Sequence, residues 1–186
     1  MRRLAVLAVA LTALVASGCG GEKEQLASFA DTEGIYLTVN GLTYQIQLSR
    51  YLNGHDVEDA EYLKGLPAGT APPGGDNVWF GVWMRIENQT GGTLPSANSY
   101  EIEDTQHNIY RPIPLDTRIN PFALRIGVDV PAGTLVPWPS GAAGTGPIQG
   151  SLVLFKIKVD SLQNRPLQLH FSNGGGTQSG MYNLDV

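Results

Sequence analysis

Three histidines, one cysteine and two acidic runs are the residues of this 186-residue chain best suited to chemistry. Zinc and copper are held by imidazole and thiolate groups that folding brings together. His55, His107 and His170 lie far apart, and none has a second histidine or a cysteine at i+2 or i+4. That spacing predicts histidines in turns or on the surface, not a metal motif. Calcium takes oxygen ligands. Asp56, Glu58, Asp59 and Glu61 form one acidic run, and Glu101, Glu103 and Asp104 a second. Neither has the spacing of a calcium loop, and Asp56 is better placed to cap a short helix whose first turn carries the other acids. Hydrolysis needs a nucleophile, a base and an orienting group. There is no Gly-x-Ser-x-Gly, and Gly174-Gly175-Gly176 lacks the Lys-Ser/Thr of a phosphate loop. The residues therefore predict a protein that is not an enzyme and has no cofactor.

The cysteine has a different use. Arg2 and Arg3 precede Leu4–Val15, a run in which only Thr12 is polar, and Ala16-Ser17-Gly18-Cys19 follows. A basic start, an apolar run too short to span a bilayer and small residues make up a secretory signal. Small-Ser-Gly-Cys at this place resembles the lipobox of bacterial lipoproteins. The resemblance implies cleavage before Cys19, lipidation of Cys19 and placement on the extracytoplasmic face of the cell membrane. Two or three acyl chains, at ~0.8 kcal/mol per buried methylene, anchor stably where one does not. Residues 1–18 are thus expected to be a lipoprotein signal peptide, residues 19–31 a polar tether and residues 32–186 the domain.

The elements that must position any site have a period of two. Ile35, Leu37 and Val39 alternate with polar residues. Asn40-Gly41 then turns the chain into Leu42, Tyr44, Ile46 and Leu48, and Asn-Gly between alternating runs signals a hairpin. Asp56 caps a short helix up to about Lys64. Val78, Phe80, Val82, Met84 and Ile86 share one face of a strand, opposite Trp79, Gly81 and Trp83; apolar residues on both sides predict a central strand. Further strands are expected at 100–104, 109–111, 128–130, 134–136, 151–159, 167–171 and 181–186. Two Pro/Gly-rich stretches, 112–127 and 137–150, are read as loops. Seven to nine strands with one short helical insertion predict an all-β, immunoglobulin-like β-sandwich.

Val82-Trp83-Met84-Arg85-Ile86-Glu87-Asn88-Gln89-Thr90, Tyr100-Glu101-Ile102-Glu103-Asp104 and Tyr110 resemble the core of a family of bacterial immunoglobulin-like lipoprotein domains of unknown function. That family is similar to the mycobacterial immunoprotective extracellular antigen. Gly150–Phe155 and Pro166–Leu169 fit its closing hairpin, and the resemblance covers about residues 35–171. Segment 51–67 looks like an insertion, and His107 stands where the family turn carries Gly. The resemblance brings no catalytic residue.

Composition narrows the partners. Gly and Pro supply 23 and 12 residues, and a single cysteine excludes a disulfide framework. Without Arg2 and Arg3 the chain holds 10 basic and 17 acidic residues, a net charge of −7, which disfavours nucleic acid. The expected function is a lipid-anchored binding module, held to the membrane through its lipid anchor, for a peptide, glycan or protein ligand. A cell-surface carrier of copper, zinc or calcium is the alternative. Trp79 and Trp83 are the candidate binding face, with Gly81 leaving room between them. The competing expectation is that residues 112–127 or 130–150 fold over both indoles.

Overall fold

Asn40 and Gly41 both take positive φ, 50° and 82°, the backbone that a two-residue hairpin requires and that these residue types tolerate. They join β2 (Leu37–Val39) to β3 (Leu42–Leu52) in a computed structural model that describes residues 27–174 and 178–185. Before them runs β1 (Ala27–Ala30). After them come β4 (Asn77–Asn88), β5 (Leu94–Pro95), β6 (Ser99–Glu103), β7 (Ile109–Tyr110), β8 (Asp129–Val130), β9 (Thr134–Val136), β10 (Ser151–Lys158), β11 (Leu167–Ser172) and β12 (Ser179–Leu184). Helix α1 (Val57–Tyr62) lies between β3 and β4, the four-residue α2 (Ala142–Thr145) between β9 and β10, and a 3-10 turn covers Val159–Leu162.

The strands form an all-β sandwich. One sheet has the order β1-β12-β11-β6-β7, the other β10-β4-β3-β2 with β9 paired to the end of β4, and β5 and β8 make a small third pair. The expected alternation places Phe80, Val82, Met84 and Ile86 of β4 and Val153, Phe155 and Ile157 of β10 between the sheets. They meet Tyr100, Ile102, Leu169, Phe171 and Tyr182 from the facing sheet. Tyr182 Oη bonds the carbonyls of Ile35 and Tyr44, both at 2.8 Å. This gives the buried phenol partners and ties the sheets together.

Two expectations need correction. The domain reaches further back than residue 32: β1 pairs in parallel with β12, Ala27 opposite Ser179, so residues 27–31 belong to the folded unit and not to the tether. Leu48 leaves the core face, because the register shifts between Ile46 and Leu48 and such a bulge turns every later side chain over. Ser49 takes the core side instead, and its backbone N–H and hydroxyl both donate to Glu33.

Candidate functional site

Trp79 and Trp83 are not an exposed face. They keep 3% and 0% of their surface, beneath a third layer on the outer side of the β10-β4-β3-β2 sheet. Asp56 starts this layer by accepting bonds from the backbone N–H groups of Glu58 and Asp59, a capping arrangement. The helix so begun carries Asp59 to Arg50 (2.6 Å) and sets Tyr62 edge-on against Trp83, ring centroids 5.1 Å apart. Burial raises the pKa of Asp59, but the Arg50 guanidinium and the Asn53 N–H outweigh it and hold the carboxyl low.

Loop 111–127 completes the cover. Ile113 N–H donates to Leu154 O (2.7 Å), Leu152 N–H to Phe122 O (2.7 Å) and Leu124 N–H to Leu152 O (2.8 Å). The loop thereby occupies the edge of β10. Buried Asn120 donates to the carbonyls of Tyr62 and Lys64, clamping loop to helix, and Phe122 packs on Tyr62. Ile113, Leu115, Phe122 and Ile148 join the apolar cluster over the two tryptophans. The room expected beside Gly81 is filled by the Trp83 ring itself and by Leu152.

Most of the acidic residues and His107 also have protein partners. Glu61 pairs with Lys64 (2.6 Å) and Glu101 with Arg111 (2.9 Å). Asp104 is buried. Burial pushes its pKa up, yet hydrogen bonds from Ser161 Oγ (2.6 Å), the Asn108 side chain and the N–H groups of Asn108 and Gln106 hold the carboxyl well below the usual range. Folding brings His107 and His170 to opposite oxygens of Glu103, at 2.6 and 3.7 Å. His55 is elsewhere, on a cleft of about 410 Å³ with Tyr51, Pro72, Pro73 and Trp79. Among the described residues no group of three or more His, Cys, Asp or Glu is set to hold a metal ion. His107 takes φ of 60°, the left-handed backbone that Gly adopts at least cost. Cys19 lies outside the described residues.

The feature that sequence reasoning missed is a cleft of about 320 Å³ between loop 111–127 and the segment after β9. Val128, Val136 and Ala143 supply apolar wall, Ser151 and Thr117 supply hydroxyls, and Arg125 and Trp138 stand at it. Trp138 keeps 55% of its surface. Arg125 is exposed, and among the described residues it forms no ion pair within 4 Å of a carboxylate. The four residues of α2 fold the chain back under Trp138, where Gly141 N–H donates to Trp138 O. Gly144 passes so close to that carbonyl that a Cβ would sit 2.2 Å from it. The indole is therefore carried on a tightly built turn. Pro137-Trp138-Pro139 was the available signal: a large aromatic between two prolines cannot sit inside a strand ladder.

No protein-family model and no curated protein matches the chain. Solved structures do match. The YjhA protein of Bacillus subtilis superposes with a TM-score of 0.52 at 12% identity, over 84% of this chain and 100% of its own. An uncharacterised β-sandwich protein of Clostridium difficile gives 0.48 at 11% identity, over 87% and 96% of the two chains. A secreted protein of Mycobacterium tuberculosis, MPT63, gives 0.48 at 12% identity, over 84% and 97%. None of these names is that of an enzyme. At such identity the likeness is one of fold, and the fold is the sandwich expected from the strand pattern. Among the described residues no helix is long and apolar enough to cross a membrane.

Proposed function

We propose that the chain is a lipid-anchored extracytoplasmic binding module, not an enzyme, and that it seats its ligand in the cleft beside Trp138 and Arg125. The observation that carries this reading is the pairing of an exposed indole with an arginine that has no carboxylate partner among the described residues, at a cleft with apolar walls. Such sites fix a ligand with a few polar groups and bury its body against apolar surface, in volumes from roughly 300 Å³ upward. An arginine takes a carboxylate by two parallel bonds, and an indole offers a flat face to a ring. The ligand is accordingly a single ring bearing a carboxylate, as in an acidic sugar unit of a glycan or an aromatic C-terminal residue of a peptide.

Titration calorimetry with D-glucuronate and with indole-3-acetate, each beside its neutral counterpart D-glucose or indole-3-acetamide, tests the reading. One acid is expected to bind more tightly than its neutral counterpart, and Arg125→Ala or Trp138→Ala to abolish that binding with the unfolding temperature unchanged. Absence of saturable binding by all four compounds refutes it. The second reading, a metal carrier, is favoured only by the meeting of His107 and His170 at Glu103. A stoichiometric ion on the purified protein that is lost in His107→Ala would support it.

A further inference from the structure

The sandwich has two chemically different ends, and β1 fixes which of them the anchor reaches. Ala27 pairs with Ser179, Ser179 with Ser172 and Ser172 with Ser99, so these four residues line one end of their sheet. The same end of the facing sheet is the Asn40-Gly41 turn, since Asn40 N–H donates to Gln178 Oε1 (2.7 Å). The chain after β4 lies there too. Leu94 and Thr90 touch the position where Gly41 would carry a Cβ, Gly133 N–H donates to Asn88 O and Gly174 N–H to Asn98 Oδ1.

None of residues 38–43, 89–100, 131–134 or 172–179 is Asp, Glu, Lys or Arg. Charges stand only beside these stretches: Glu87 at the end of β4, Asp129 opposite Pro95, Arg125 two residues before Gly127, whose N–H donates to Ala97 O, and Glu22, Lys23 and Glu24 in the sequence before Ala27. The opposite end holds Asp76, Asp104, Lys158, Asp160 and Arg165 around the β4, β6 and β10 termini.

We infer that the domain stands on the bilayer with its uncharged end down and its charged end outward. The inference rests on the lipid anchor at Cys19 and goes beyond the ligand cleft. Covalent geometry supplies the first argument. Cys19 is eight residues before Ala27, a reach of at most about 29 Å at ~3.6 Å per residue. β4 alone is 12 residues long, about 40 Å at ~3.3 Å per residue. An inverted domain would lift Ala27 further from the membrane than its tether extends. Electrostatics supplies the second. An anionic headgroup layer repels a chain of net charge −7, but only within roughly a Debye length of ~8–10 Å. The uncharged end is the one such a surface tolerates. The Trp138 cleft then lies toward the membrane. Its wall residue Val136 pairs with Ile86 and Ser151 with Met84, two and four residues from the Asn88 end of β4, about 7–13 Å at ~3.3 Å per residue.

The full-length lipidated protein carries no free thiol once Cys19 is modified, so single cysteines label cleanly. Thr93→Cys at the uncharged end and Gln106→Cys at the charged end are each given a donor dye. Each variant is then reconstituted in phosphatidylethanolamine–phosphatidylglycerol vesicles with an acceptor on the headgroup. Flotation with the vesicles is scored first. Energy transfer from residue 93 is expected to exceed that from residue 106 several-fold. Equal or reversed transfer in protein that floats overturns the orientation and leaves the anchor standing. Protein with Cys19 intact that does not float overturns the anchor, and the orientation with it.

Discussion

Replacing Gly81 by Ala tests whether the outer face of β4 is closed. Glycine in a strand interior is unfavourable, and Ala there ordinarily adds about 0.5–1 kcal/mol of stability through the lost backbone entropy of the unfolded chain. Here the new Cβ would lie 2.7 and 2.8 Å from Cη2 and Cζ3 of Trp83 and 2.9 Å from Cδ1 of Leu152. Carbon atoms are at ease near 3.5–4.0 Å, so at least two side chains must withdraw by most of an ångström. Trp83 cannot withdraw easily, with Tyr62 against its ring and the Arg50 guanidinium 5.4 Å from its centroid. Overpacking of this kind costs about 1–3 kcal/mol and outweighs the entropic gain. The net loss of roughly 1–2 kcal/mol lowers the unfolding temperature by about 2–8 °C for a domain of this length. Thermal unfolding followed by circular dichroism measures it. In a Trp83→Phe background the ring edge that Gly81 faces is gone, and the same substitution should become neutral or stabilising, a non-additivity expected of touching residues. A stabilised Gly81→Ala in the otherwise unaltered protein refutes the closed face.

Asp104 carries an acid sensitivity. Its folded pKa lies below the unfolded value of about 3.9, so its stabilising contribution is complete above about pH 5 and is lost as pH falls toward the folded value. Asp104→Asn should therefore be less stable than the unaltered protein at pH 7, with a shallower decline between pH 5 and pH 2 in urea titrations at each pH; parallel curves refute this. Cys19→Ala should leave an uncleaved precursor without acyl chains, read by mass spectrometry of the membrane fraction. Normal cleavage and membrane retention of that variant refute the lipobox reading.

The sandwich was legible because its central strands obey simple periods. The alternation of β4 and β10 assigned Phe80, Val82, Phe155 and Ile157 to the core, Asn40-Gly41 marked the hairpin, and Asp56 marked the start of α1. The two faces of β4 were also assigned rightly, but a strand pattern says only which side a residue points to, not what lies upon it. The cover over Trp79 and Trp83 comes from α1 and from loop 111–127, and the loop has no period to read. Its hold is a bridge to the edge of β10 and the buried amide of Asn120, contacts between residues tens of positions apart. The bulge before Leu48 was hidden for the opposite reason: the sequence alternates through it without a break. β1, Ala-Ser-Phe-Ala, is short and weakly β-forming, and it owes its place to β12.

Because the cleft is made by that aperiodic cover, its shape depends on bonds remote from Trp138, and Asn120 is the test. Its Nδ2 donates to Tyr62 O (2.8 Å) and Lys64 O (2.9 Å) while its Oδ1 accepts from Phe122 N–H (2.9 Å). Asn120→Ala leaves one buried backbone group, Tyr62 O, and two part-buried ones, Lys64 O and Phe122 N–H, without these partners, at about 1–3 kcal/mol for a fully buried group in isolation and less for the others. Relaxation and entering water reduce the sum, so a loss of roughly 2–4 kcal/mol is expected, within the range of buried-network deletions. The loss should be local. Loop 111–127 lies outside the main sheets and can open while the core between them stays shut, as regions with few core contacts do. Hydrogen exchange should then show the amides of Phe122 and Leu124 losing protection while those of Val82 and Phe155 keep theirs. The cleft should weaken in step, since Thr117, Pro121, Ala123 and Arg125 all ride on the released segment. If Phe122 and Leu124 remain as protected as before, the cover does not hang on Asn120, and the cleft owes its shape to the apolar contacts over Trp83 alone.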